Sequence, residues 1–372
     1  MRIHDKEQLS VLKGSFNHHY EADIFYGGER RLAGVPITSP EHKEDGAAAI
    51  QQSGSFTIVW MDDFGKSISP RQIGDTLSPF GPEVHLYSVL TVGKRASARV
   101  KLGQFPITNV PSAVDQEMEF RSELITVGSV VELEFKELTT KIDRDRFDVP
   151  TAPTVLKSVW DEVARITGAQ ITRSVPDAAI SRAVMYQENR LDAVADLLDI
   201  LDAVPHVTAD GTLGARPNAW PDPVDSLQDG DGGSLVSVGH AMNADETYNR
   251  IAFRGKSGQQ QMILASAEIT SGPLRTKEPD GTPSPFGRVT RFVSSDYITT
   301  TQQAQDYVNR ELERTAGLGV VVVPVVETFN PLRERGDVIE LRERRGARLG
   351  RIRSINRDDS MKQSMNVEVI NG

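Results

Sequence analysis

The 372-residue sequence contains no cysteine. That excludes disulfides, thiolate nucleophiles and cysteine-based zinc or iron–sulfur sites. Small secreted scaffolds usually rely on cysteines, so stability here must come from cores or from contacts between chains. Aromatic residues are scarce at 6%, poor material for a sugar-binding surface that grips with exposed rings. No apolar run approaches the roughly 18 residues that mark a membrane span. The longest, residues 320–326, is strand-length and carries Pro324. The start, residues 1–6, is polar and lacks the apolar stretch of a signal peptide. Positive charge is in deficit: 42 Lys and Arg against 52 Asp and Glu leave a net −10. That is the wrong sign for gripping nucleic acid by its phosphates, yet it suits a surface that DNA must slide past. No Gly-x-Ser-x-Gly elbow, phosphate-binding P-loop or Gly-x-Gly-x-x-Gly fingerprint occurs.

What is present reads as a foldable chain. Hydrophobic residues make up 38% and charged residues 25%, the charges mixed rather than blocked into tails. The length corresponds to two or three domains. The first segment is β-rich. Residues 20–26, the Gly27-Gly28 turn and residues 31–37 read as a hairpin. Residues 55–60 are β-branched and aromatic, 85–92 and 98–103 suggest a second pair, and 130–136 alternate strictly, the mark of a strand with one buried face.

The pattern changes near Pro150. Val155, Leu156, Val159, Trp160, Val163 and Ile166 share one helical face, predicting a helix over 151–167 with Pro153 in its first turn and Gly168 at its cap. A short strand is expected at 183–186 and a second helix at 189–203, striped by Leu191, Val194, Leu197, Leu198 and Leu201. Asp210-Gly211 predicts a tight hairpin turn within 206–213. Residues 221–234 read as a polar linker. The remainder is again mostly β, with a Gly/Pro/Asp-rich loop at 272–287, a helix at 301–314 and strands at 320–328, 337–342, 350–355 and 365–370. The expected fold class is α+β, mostly β: a β-barrel or sandwich at 1–148, an α+β insert with two helices and a hairpin at 149–235, and a second barrel-like domain with one helix at 236–372.

Three stretches, in this order, carry a resemblance to a known family. Residues 132–136 lead into the first helix. Residues 189–198 lead into the Asp210-Gly211 hairpin, closed by Pro217. Helix 301–314 is followed by strand 320–326, Asn330-Pro331-Leu332 and Arg335-Gly336-Asp337. The order resembles the baseplate hub family of phage tails and contractile injection systems. The resemblance covers the chain from about residue 130; the first 130 residues match in β-rich composition only. It implies a non-enzymatic structural protein of the virion, assembled in the host cytoplasm, a homotrimer whose two tube-like barrels per subunit make a pseudo-sixfold ring. It implies partners among the tail tube or distal tail protein, the tape measure protein and downstream tail-tip or receptor-binding proteins, with no specific nucleic-acid binding. Because the sequence stops directly after the last strand, no appended lysin is expected. The alternatives are a hexameric adaptor, a carbohydrate-binding receptor protein or a cell-wall hydrolase.

The residues themselves single out no catalytic, cofactor or metal site, and no cofactor is expected. His18-His19 is the one histidine cluster among His4, His18, His19, His42, His85, His206 and His240. Neighbours in a strand point apart, so an interface or solvated role is expected. His42 with Glu44 and Asp45 is expected in a polar loop. Asp192, Asp196 and Asp199 form a solvated face opposite the leucine stripe. Asp143, Asp145 and Asp148 mimic a calcium loop but lack its central glycine. The 272–287 loop is expected to contact a neighbouring subunit or a partner protein.

Overall fold

The computed structural model describes residues 1–2, 6–61, 66–93, 96–120, 122–182, 184–239, 244, 247–256, 262–295, 298, 300–315, 320–344 and 346–370. His4 and His240, and Ala183 of the expected short strand, lie outside them. The chain divides into two compact units, Met1–Val238 with Pro324–Val367, and Gly239–Val323 with Glu368–Gly372. The expected segment 236–372 is thus shared between both units.

In the first unit a short helix, α1 (Lys6–Leu12), precedes β1 (Asn17–Tyr26). Gly27 and Gly28, at φ 60° and 84°, turn the chain into β2 (Glu29–Asp45). Positive φ at both central residues is what a two-residue hairpin turn needs, and Tyr26 pairs with Glu29 as the sequence predicts. β3 (Gln52–Trp60), β4 (Glu83–Val92), β5 (Ala96–Phe120) and β6 (Glu123–Lys136) follow. Their order is β1-β4-β5-β6-β3-β2, and β1 also pairs with β2, so six strands close on themselves. The enclosed core holds Phe56, Phe105 and Phe135, the last two with ring centroids 4.7 Å apart. Gly54 lies so close to this cluster that a Cβ would come within 2.5 Å of Phe135 Cζ.

β2 belongs to two structures. At Ser39, with φ 48°, its register against β3 shifts, and an irregularity of this kind bends a strand. Beyond it, residues 41–44 pair with β3 on one edge, and 42–45 pair on the other with a later strand, β16 (Gly346–Arg357). Strict alternation put His42 and Glu44 inside, which corrects the polar loop expected there.

The insert starts with α2 (Thr139–Arg144) and α3 (Val159–Thr167). α3 is eight residues shorter than its periodicity predicts. Ser158 is the true N-cap, its hydroxyl accepting from Asp161 N at 3.0 Å, while Asp177 takes the Val159 amide at 2.9 Å. Upstream, the Thr154 and Val155 amides donate to the Glu162 carboxylate instead of to a helix. Gly168, at φ 62°, ends the helix as expected. α4 (Arg190–Asp199) starts at Asn189, whose side chain accepts from the Leu191 amide at 2.8 Å. No strand forms at 184–186; Tyr186 makes a single bridge to Thr151. β7 (Ala203–Val207) and β8 (Leu213–Pro217) form the hairpin, joined by five residues rather than two. Thr208 and Thr212 bridge its neck through backbone and hydroxyls, and Gly211, at φ 74°, sits at the tip. Trp160, Val163, Val194, Leu197 and Leu213 fill one core beneath.

The linker at 221–234 contains a strand, β9 (Asp225–Gln228), before β10 (Leu235–Val238). In the second unit, β11 (Arg250–Lys256), β12 (Met262–Glu268) and β13 (Thr290–Val293) form a three-stranded sheet. Helix α5 (Thr301–Thr315) packs Ala304 and Val308 against Ile251 and Phe253. The 272–287 loop is braced from within: buried Asn249 donates to the carbonyls of Leu274 and Gly287 and accepts from Val289 N. Finally β14 (Val320–Thr328), β15 (Val338–Glu343), β16 (Gly346–Arg357) and β17 (Lys362–Ile370) complete the chain. The barrel sheet thereby continues as β2-β16-β17-β14-β10, with β15 beside β16 and β9 parallel to β15. The fold is α+β and mostly β.

Candidate functional site

The residues that sequence reading marked for chemistry do not converge. His18 stacks on Phe329 at 3.8 Å and bonds the Ser360 carbonyl at 2.7 Å, while His19 faces solvent beside Glu21. His18 is therefore part-buried against the chain's own Phe329. His42 reaches Gln52 Oε1 at 3.4 Å, and Asp45 points outward to cap Ala47. Burial pushes the His42 imidazole down to about 3, so it is neutral near pH 7. Asp143 receives the Asn189 amide and lies near Arg146, and Asp145 pairs with Arg190 at 3.2 Å. Asp192, Asp196 and Asp199 lie on the exposed face of α4. Among the described residues, no three His, Asp or Glu side chains are grouped to hold a metal ion.

The structure instead assembles a buried network around Glu44, whose parts no sequence motif joins. Glu44 Oε1 accepts from Arg2 Nη2 and from Arg357 Nη1, each at 2.7 Å. Its Oε2 accepts the Arg335 amide at 3.2 Å. Arg357 also donates to Gln363 Oε1 and to the Arg333 carbonyl. Arg333 donates to Glu327 and, at 2.8 Å, to Asp225. Arg335 donates to Gln51 at 2.8 Å and faces Glu137 at 3.6 Å. Glu44, Glu137, Glu327, Arg333 and Arg357 are each about 1% exposed or less, so no glycan or peptide can reach these carboxylates.

The electrostatics follow from that burial. Desolvation works to raise the Glu44 pKa, but the guanidiniums of Arg2 and Arg357 outweigh it and hold the carboxyl well below its ordinary range. Glu137 goes the other way: burial raises it, and the more distant Arg335 offsets only part. The network joins β2 and the end of β6 to β9, β14, β16, β17 and the turn at 329–337. A charged cluster of this kind contributes little net stability but penalises any arrangement that breaks it. It fixes how the closed barrel and the later strands share β2. Arg335-Gly336-Asp337, read from sequence as a turn before a strand, supplies one buried arm of it. The rest gave no signal, because an inward charge in an alternating strand looks like an outward one until its neighbours are known.

Outside the core, β5 and β6 run past their partners. β4 pairs with β5 only as far as Pro106, and β3 with β6 only from Ser129. Past Asp115 and Ser129 the pair forms a two-stranded arm, and residues 111–119 of β5 are largely exposed on both faces. Asp115 anchors its base, accepting from Ser67, Ser69, Ser129 and Arg71. The opposite face carries Val114, in register with Val130 and through it with Val59, and then Met118 beside Ile125. Val59, Val114 and Met118 are 48%, 56% and 51% exposed.

A closed antiparallel barrel, a second strand set fused to it through one shared strand, and a capped helical insert define the class: an α+β, mostly β scaffold. No family model matches the chain, and no curated protein matches it. Among solved structures, the fold is similar to that of the tail protein from Neisseria meningitidis MC58, with a TM-score of 0.60 and 10% identity over 95% of this chain and 97% of that one. It is also similar to the 43 kDa tail protein of prophage MuSo2 from Shewanella oneidensis, with a TM-score of 0.58 and 10% identity over 94% of this chain and 98% of that one. Both are tail proteins, as the resemblance read from the sequence leads one to expect. At 10% identity the likeness is one of fold.

Proposed function

We propose that this chain is the structural baseplate hub of a phage tail tip. Three copies form a ring that joins the tail tube to host-contacting proteins, and DNA passes through it. The observation that carries the reading is the double use of β2, locked by the Glu44 network. One chain thereby presents two strand modules as one body, the arrangement by which three subunits match a sixfold tube. The full-length likeness to tail proteins supports the same reading, and the net charge of −10 suits a lumen that must not bind DNA. The role is structural rather than catalytic, since the buried carboxylates are sealed by arginine. Its partners are the tail tube or distal tail protein, the tape measure protein and downstream receptor-binding proteins, and its place is the virion.

The test is the mass of the purified chain by sedimentation velocity, followed by electron microscopy of the assembled ring. A trimer with pseudo-sixfold density is expected. A hexamer, or peptidoglycan turnover abolished by one carboxylate substitution, would replace the hub by the adaptor or the hydrolase.

A further inference from the structure

Two exposed hairpins of the first unit carry opposite charge. The β5–β6 arm bears Glu117 and Glu119 near its tip, beside the apolar Val114 and Met118. Neither glutamate makes an ion pair among the described residues. The β15–β16 hairpin is the reverse. Residues 342–351 contain five arginines, in a chain whose net charge is −10. Arg344 is 92% exposed and lies 3.6 Å from Asp229, and Arg342, 55% exposed, pairs among the described residues with Glu340 on its own strand. Exposed pairs such as these are worth little and exchange partners readily. Leu349, 43% exposed and in register with Glu340, adds an apolar contact on this hairpin. The arm also offers unpaired backbone: among the described residues, no strand joins β5 beyond Pro106 on its outer edge. Unpaired edges invite pairing with another chain.

We infer that the acidic arm of one copy docks on the arginine-rich β15–β16 hairpin of the next copy. The occupant is a second copy because one chain carries both the acidic insert and its basic receiver. The two patches are different surfaces, so the contact is head-to-tail. Repeated head-to-tail contacts close into a ring when the rotation allows. The inference rests on the hub reading and names the interface that reading leaves open. Charged contacts at such a rim set specificity and are screened by salt, while the apolar contact of Val114, Met118 and Leu349 persists.

The test is a charge swap in the full chain, read as the concentration for half-assembly by sedimentation velocity at low and high salt. Glu117→Lys with Glu119→Lys raises that concentration at least tenfold, and Arg342→Glu with Arg344→Glu does the same. All four substitutions together bring it back to within about threefold of the parent. These side chains are exposed, and thermal melts confirm that each variant folds. Double variants that assemble like the parent, or a quadruple variant no better than the doubles, overturn the inference while a parent trimer keeps the hub reading. Rescue in a hexamer supports the contact and overturns the trimer. A parent that stays monomeric throughout overturns both.

Discussion

Glu44 is the residue on which most of the buried charge turns. Two guanidiniums share its Oε1, and removing the carboxylate leaves both buried without their shared partner. Breaking a buried pair in this way costs about 3–5 kcal/mol, so Glu44→Gln should lower the unfolding free energy read by urea titration by that amount. The pH dependence has a definite sign. The Glu44 pKa is depressed in the fold, so below about 4.5, its ordinary value, the unfolded chain takes up a proton that the fold refuses. Its contribution is present above that pH and is lost as the pH falls. His42 acts earlier. Its ring falls from 6.5 to about 3 in the fold, so the unfolded chain binds the extra proton across that window, and stability drops by up to roughly 4 kcal/mol by pH 3. Melting temperatures from pH 7 to pH 3 should show both limbs in the parent. Glu44→Gln should retain the His42 limb and lose the steeper fall below about 4.5. An unchanged acid profile in that variant would show that Glu44 is not depressed.

At the scale of elements, local caps set the helix bounds more than apolar spacing does. Ser158 and Asp177 together satisfy the first amides of α3. Ser158→Ala should cost about 1 kcal/mol, read by urea unfolding, as N-cap losses do. A null effect would return the start of α3 to the position periodicity suggests. The 272–287 loop depends on one side chain. Asn249 holds both ends of it from a fully buried position. Asn249→Ala leaves the carbonyls of Leu274 and Gly287 without that donor, at a cost of about 1–3 kcal/mol for each buried unsatisfied group. Hydrogen exchange should rise across 272–289 and stay unchanged in the insert. If protection in the loop persists, its order comes from elsewhere.

At the scale of the whole molecule, two strand modules share β2, and the arginine network prevents them from sliding apart. Sharing of this kind within the first unit suits the ring wall of the proposed hub. The arm and the basic hairpin are the surfaces through which the inferred contact would specify neighbours. A trimer that weakens as salt rises from 50 to 500 mM is the expected behaviour, because screening shortens the Debye length from above 10 Å to about 4 Å.

The sequence by itself determined much of the strand and helix content. The Gly27-Gly28 turn, the bounds of strand 320–328, helix α5 and the leucine face of α4 all follow from local chemistry, since turn glycines and apolar periodicity act over a few residues. It also determined the absence of any cysteine chemistry and the acid balance. Only the tertiary structure decided what Glu44, Arg2, Arg335 and Arg357 do. Glu44 and Arg357 lie 313 residues apart, and burial turns solvated charges into a lock only when distant strands bring them together. The same holds for the arm. Strand 98–103 is legible because one face is buried, but residues 111–119 further along β5 are largely exposed on both faces, and alternation has nothing there to record. Where energy comes from neighbours near in sequence, the pattern shows it; where it comes from neighbours near only in space, the fold must be seen.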